Sequence, residues 1–175
     1  MMERTEDVAA RSLSSTRLAE LYERHIGRSV ALAALVGGDP NSAEDIAHEA
    51  FIRTAGRLSG LRDPSAFDAY LRRTVINLCR ARARRAGIER RYLEWFVQRE
   101  ADEAATDAED RDVLWAGLRE LPHRQRAAVV LRYYEDLSEE QAADAMGCSP
   151  RAVNALVSRA MATLRTRIEG EEENT

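Results

Sequence analysis

Lysine is absent from this 175-residue chain: all 26 basic residues are arginine. Codon usage explains such a bias as readily as chemistry does, so no functional reading is placed on it. Cysteine is almost as scarce. Cys79 and Cys148 form no CxxC pair and have no clustered histidines nearby, which excludes a disulfide framework and a zinc site and points to a cytoplasmic compartment. No apolar run approaches about 18 residues, and no basic-then-apolar leader opens the chain, so neither membrane insertion nor secretion is expected. The requirements for catalysis are missing too. There is no nucleophile with its base, no metal cluster and no glycine-rich phosphate loop, so neither an enzyme nor a cofactor is expected. Two motifs come close and fall short. Asp45-x-x-His48 is half of a di-iron pattern without its partner carboxylates, and His48-Glu49 lacks the second histidine of a zinc-protease helix.

What is present is a soluble composition, 45% hydrophobic and 32% charged, with a net charge of -4. At this length the chain can fold as one domain or two small ones. The modest net charge conceals a segregation along the chain. Between Arg72 and Arg91 there are eight arginines and one acid, Glu89; between Glu94 and Asp112 there are eight acids against Arg99 and Arg111. The first block suits a phosphate backbone and the second repels one.

The stretch from Leu121 to Arg165 has the signals of a helix-turn-helix. Ser138-Glu-Glu-Gln141 is a capping box that starts a helix, and Gly147 is the residue type that ends one in a left-handed conformation. Ser149 then caps a second helix with Pro150 at its first position, running to about Ile168. Ala143 allows the two helices to cross closely, and Met146, Val153, Leu156 and Leu164 face inward. Arg151, Asn154, Ser158 and Arg159 are left facing out. Arginine and asparagine at the start of such a helix match guanine and adenine edges in the major groove.

Taken in order, Met1 to about Leu13 is polar and expected to be disordered. A helix follows from Ser14 or Ser15 to Val36, with Leu18, Leu21, Tyr22, Ile26 and Val30 as its buried stripe. After Gly37-Gly38, Asp39 to Ser42 restarts helix. There Ala43, Ile46, Ala50 and Phe51 turn inward and Glu44, Asp45, His48, Glu49 and Arg53 outward. Ser59 to Arg62 reads as a loop. Asp63-Pro64 opens a third helix to about Arg85, with Phe67, Tyr70, Leu71, Thr74, Val75 and Leu78 inward. Trp95 and Phe96 precede an acidic, alanine-rich run with little periodicity. From Asp110, Val113, Leu114, Leu118 and Leu121 begin the last domain, and Pro122 opens its next helix. The expected architecture is all-α: a small helical bundle over 14–91, an acidic flexible linker over 92–109 and a helix-turn-helix domain over 110–169.

These residues carry a resemblance to the extracytoplasmic-function sigma factors, promoter-specificity subunits of bacterial RNA polymerase. Ala43-Glu44-Asp45-Ile46-Ala47-His48-Glu49-Ala50-Phe51-Ile52 is similar to the family's core-binding helix. FDAYLRRTVIN, Phe67 through Asn77, is similar to the segment ending in its near-fixed asparagine, followed by Arg84-Arg85. Leu121-Pro122, Arg126, Leu131-Arg132-Tyr133, Leu137-Ser138, Gly147, Ser149, Val153, Arg159-Ala160 and Leu164-Arg165 fall on the family pattern of the second domain. The resemblance implies that Glu44, Asp45, His48, Glu49 and Phe51 dock on core polymerase, whose largest-subunit coiled coil and flap are the expected contacts. It implies that Arg62, Phe67, Arg73, Asn77, Arg80, Arg84 and Arg85 meet the -10 element as an unstacked strand. Arg132, Ser149, Arg151, Asn154, Ser158 and Arg159 would meet the -35 element as duplex. An anti-sigma factor is a further partner implied by the family alone.

The chain departs from the family where Tyr70 replaces a usual Trp, Ala81 a common Asp, Asn154 a usual Lys and Leu156 a usual Arg. Two other readings compete. A free-standing helix-turn-helix regulator needs a sensor or dimerisation domain, and the first domain offers an arginine-rich helix instead. An all-helical adaptor leaves Arg151 and Asn154 unexplained.

Overall fold

The computed structural model describes the backbone of residues 2–57, 64–94 and 109–172, with side chains over 16–57, 66–86 and 115–166. Among the described residues every regular element is helical. The loop expected at Ser59 to Arg62, the acidic run from Trp95 to residue 108, and the side chains of Val113 and Leu114 lie outside them.

Helix α1 spans Met2–Gly37, so it begins well before Ser14. No glycine or proline precedes Gly27, and Met2–Leu13 is rich in Glu, Arg and Ala, which favour helix. The helix closes at Gly38, whose φ of 74° lies in the left-handed region and whose amide donates to Ala34 O at 2.8 Å. Asp39 Oδ1 then accepts from the Asn41 amide at 3.0 Å. A 3-10 turn over Pro40–Ser42 leads into α2, Ala43–Ala55. Helix α3, Pro64–Glu94, completes the first domain and outruns the expected end at Arg85.

The core of this domain sits at the C-terminal half of α1. Leu32, Ala33 and Val36 are buried there against Ala43, Ile46, Ala50 and Phe51 of α2 and Phe67, Leu71 and Val75 of α3. Phe51 meets Tyr22 and Phe67 edge-on, with ring centroids 5.1 and 5.8 Å apart, a favoured aromatic geometry. The stripe expected on α1 lies too far toward its N-terminus. Leu21, Tyr22, Ile26 and Val30 are only half-buried and Leu18 is exposed, because the neighbouring helices converge farther along.

Helices α4, Glu109–Glu120, and α5, His123–Val129, start the second domain. A π-helical turn over Val130–Tyr134 extends α5, and α6, Glu139–Met146, and α7, Pro150–Glu172, form the helix-turn-helix. Its start and turn follow local chemistry. Ser138 Oγ accepts from the Gln141 amide at 3.2 Å while Gln141 Oε1 accepts from the Ser138 amide at 2.9 Å. At the other end Gly147 adopts φ 62°, ψ 48°. The Cys148 amide reaches Ala143 O at 3.0 Å and the Gly147 amide reaches Asp144 O at 3.4 Å, the paired bonds of a Schellman closure. Ala143 and Val153 are buried where α6 and α7 cross.

The two domains share one apolar core, which runs from α1, α2 and α3 into α5, α6 and α7. Helix α3 is therefore buried on two faces. Phe67, Leu71 and Val75 recur at one helical spacing, and Ile76 and Cys79, beyond the single stripe expected, at a second that also carries Arg72.

Candidate nucleic-acid interface

The end of α2 and the middle of α3 enclose a cleft of about 710 Å³ lined by Arg53, Arg57, Tyr70, Arg73, Thr74, Asn77, Leu78 and Ala81, within the size range of ligand sites. Its walls are set by helical spacing. Arg53 in the last turn of α2 and Arg57 in the turn just beyond it lie four residues apart, while Arg73, Asn77, Arg80 and Arg84 recur along one exposed face of α3. Arg57 lies over the Tyr70 ring, 5.3 Å from its centroid, and donates to the Tyr70 hydroxyl. Arg53 Nη2 is held by Glu49 Oε1 at 2.5 Å. The cleft thus joins guanidinium groups, an aromatic ring and an exposed amide, which is what a strand of phosphates and unstacked bases requires.

Of the residues expected at this site, Arg73, Asn77, Arg80, Arg84 and Arg85 are exposed on α3. Phe67 is 1% exposed and belongs to the core, so it does not line the cleft. Arg62 lies outside the described residues. Arg57 was not expected here, although its spacing from Arg53, Gly56 intervening, carried the signal.

Along α2, Glu44, Asp45, His48 and Glu49 are exposed. Ile52 continues their face at 71% exposure. The Tyr22 hydroxyl pairs with His48 Nε2, and the two rings stack at 5.8 Å. Phe51 is buried and presents no surface to a partner.

On the helix-turn-helix, Arg151, Asn154, Ser158 and Arg159 are all exposed. Ser149 is occupied in capping: its Oγ accepts from the Ala152 amide at 3.2 Å. Arg132 donates to Leu137 O across the turn before α6, so it braces the motif. With Ser149 and Arg132 engaged in the fold, four of the six expected side chains remain exposed without such a role.

The charged groups between the domains are of another kind. Arg126 is 7% exposed and caps two helix ends at once. Its Nε donates to Val36 O at 2.9 Å and Nη2 to Gly37 O at 3.1 Å, while Nη1 reaches Leu118 O and Arg119 O at 3.4 and 3.1 Å. Burial lowers the Arg126 pKa, and burial together with the Arg126 charge lowers that of His123. Burial also pushes the Cys79 thiol up to about 12, leaving it unreactive. Glu135 accepts from Arg28 Nε at 3.0 Å and from Arg72 Nε at 2.9 Å. Its hydrogen bond raises the Arg28 pKa.

Family models for sigma-70 region 2 and sigma-70 region 4 match residues 21–88 and 111–164. The chain is 36% identical over 134 residues to the RNA polymerase sigma-E factor of Streptomyces avermitilis, covering 77% of this chain and 75% of that one. The chain belongs to the extracytoplasmic-function branch of the sigma-70 family. It is a sigma factor that binds core RNA polymerase and directs initiation at promoters. The RNA polymerase sigma-H factor of Pseudomonas aeruginosa is 34% identical over 139 residues, 70% of each chain. The same fold occurs in the sigma factor RpoE of Bartonella quintana, solved with the anti-sigma factor NepR. That match has a TM-score of 0.67 at 22% identity and covers 89% of this sigma factor and 96% of that chain. Among the described residues no helix is long and apolar enough to cross a membrane.

Proposed function

We propose that the cleft beside Asn77 is where this sigma factor takes up the melted strand of the -10 element, and that the exposed start of α7 reads the -35 element as duplex. The observation that carries this is the single face on which Arg73, Asn77, Arg80 and Arg84 follow one another, with Tyr70 and Arg57 closing its rim. The arginines neutralise phosphate, Tyr70 offers a stacking surface, and the Asn77 amide both donates to and accepts from a base edge. Arg151 and Asn154 give bidentate contacts in the major groove, and Arg159 a phosphate contact.

The acidic face of Glu44, Asp45, His48 and Glu49, with Ile52 as an apolar centre, docks on the coiled coil of the polymerase's largest subunit, and the second domain on its flap. The role is non-enzymatic, and chemistry stays with the polymerase. The setting is the cytoplasm, and an anti-sigma factor, the kind of partner found with the Bartonella quintana protein, regulates it. The acidic segment 92–109 serves as the linker between the domains 14–91 and 110–169.

Asn77→Ala tests the cleft. Because Asn77 is exposed, the stability read from thermal melting should stay within about ±0.5 kcal/mol of the parent's. Transcription by reconstituted holoenzyme should fall about fivefold, the worth of roughly 1 kcal/mol of hydrogen bonding, and preference at one -10 base should relax. A large loss of stability, or full transcription with unchanged preference, would remove Asn77 from the site.

A further inference from the structure

Helix α3 outruns the helix beside it. Helix α1 ends level with Cys79: a Cβ on Gly37 would stand 3.8 Å from the Cys79 thiol, and Cys79 Sγ reaches Ala33 O at 3.8 Å. Among the described residues Cys79 is the last buried side chain of α3, and Arg80, Arg82, Arg84 and Arg85 beyond it are all exposed. These arginines do not share a face. At 3.6 residues per turn, Arg82 and Arg84 leave the helix about 200° apart, while a rise of about 1.5 Å per residue keeps them within roughly 3 Å of the same level. Arg84 continues the row of Arg73, Asn77 and Arg80 that begins at the cleft. Arg82 stands on the other side of the helix.

Nothing along the helix balances these charges. No acidic residue lies within four positions of either Arg82 or Arg84, so the opposite-charge pairs that stabilise an exposed helix are missing. Arg80 and Arg84 instead stand four apart and Arg82 and Arg85 three apart, spacings at which like charges repel. A polyanion relieves that repulsion, but one strand cannot reach both sides of a helix that is about 10–12 Å across with its side chains. The major groove of B-form DNA is about 12 Å wide and is walled by the phosphates of both strands, so a helix placed there meets one backbone on each side.

We propose that the end of α3 stands between the two promoter strands at the edge of the melted segment, with Arg80 and Arg84 following the strand held in the cleft and Arg82 taking a phosphate of the complementary strand. This placement rests on the cleft being the site of the melted -10 strand. Helix α3 leads into the segment that joins the domain reading the -35 element, so the duplex concerned lies on the -35 side. Backbone contacts of this kind fix position and carry no base preference. They make the flanking duplex part of the site. A single strand fills one side of α3; a fork, in which the same strand is still paired on its -35 side, fills both.

Binding by reconstituted holoenzyme to two probes tests the assignment. One is a single-stranded oligonucleotide carrying the -10 element. The other is the same strand annealed over about one helical turn, roughly 10 base pairs, on the -35 side, short of the -35 element itself. Arg82→Ala should leave affinity and salt dependence on the single strand at the parent's values, and on the fork it should lower the slope of log affinity against log salt by about one unit. Arg84→Ala should lower the slope on both probes. Neutral methylphosphonates placed one at a time in the complementary strand should include a position that weakens the parent and not Arg82→Ala. Equal effects of Arg82→Ala on both probes would put Arg82 on the cleft strand, and an unchanged slope on the fork would leave it in solvent. Either result overturns the proposal, as does the lack of any such methylphosphonate position. Arg82 is exposed, so helical circular dichroism should match the parent's; if it does not, Arg82→Gln, which removes the charge and keeps a polar side chain, takes its place in the same measurements. If Arg73→Ala and Asn77→Ala both bind the single strand as well as the parent does, the cleft reading fails, while a loss confined to the fork in Arg82→Ala would still assign that residue to the complementary strand.

Discussion

Two glycines with positive φ separate local from distant constraint. Gly147 turns the chain between α6 and α7 at φ 62°, and a Cβ there meets nothing within 4 Å. Gly38 has φ 74°, and its Cβ would meet the Arg126 guanidinium at 2.7 Å. Both substitutions to alanine pay the left-handed penalty of about 1–2 kcal/mol. Gly38→Ala must also displace a guanidinium bound to four carbonyls, at about 1.5–3 kcal/mol for charged hydrogen bonds. Chemical denaturation should therefore show Gly38→Ala to be the costlier change by at least about 1 kcal/mol. Equal costs would mean that Arg126 moves aside freely and its capping bonds contribute little.

At the level of elements, the helix-turn-helix was the most legible part of the chain, because everything that shapes it is local. Ser138 and Gln141, Gly147, and Ser149 with Pro150 each act within a few residues, and the exposed set Arg151, Asn154, Ser158 and Arg159 followed from spacing. Helix α3 was read as having one buried stripe because its second covered face depends on partners far away. Arg72 meets Glu135 across 63 positions, Arg28 meets it across 107, and Arg126 meets Val36 across 90. No periodicity reports such a contact. The polar partners Arg72 and Glu135 look like ordinary surface charge in the sequence. Periodicity did turn Phe51 and Phe67 inward, and both are buried; it was the family resemblance that made them candidates for binding. The reading of α7 leads to a test of its own. Asn154 and Leu156 stand where the family resemblance implies Lys and Arg; with few cations on this face, promoter binding should show a shallow salt dependence. Asn154→Ala should weaken one base pair of the -35 element by about 1–3 kcal/mol of discrimination and leave the salt slope unchanged, whereas Arg159→Ala should lower the slope by about one. Uniform weakening of every single-base variant by Asn154→Ala would reassign that residue to the backbone.

On the scale of the whole molecule, the seam between the domains carries a titratable group, His123. His123 lies near the Arg126 and Arg80 charges and the Val36 backbone. Burial first, and then Arg126, lower its pKa below the ordinary value; its Nδ1 is buried without a hydrogen-bond partner. The unfolded chain therefore holds this proton more tightly than the folded one. Linkage gives the sign: the contribution is fully present above the unfolded value, about pH 6.5, and is lost as pH falls through the window beneath it. For one proton the slope cannot exceed about 1.4 kcal/mol per pH unit. Melting temperature should decline between pH 7 and 5.5 in the parent, and His123→Gln, which keeps a polar side chain but cannot take up the proton, should flatten that decline while His25 and His48 remain in place. If His123→Gln follows the parent curve, the acid sensitivity arises elsewhere, and His123 is protonated as easily in the folded chain as in the unfolded one.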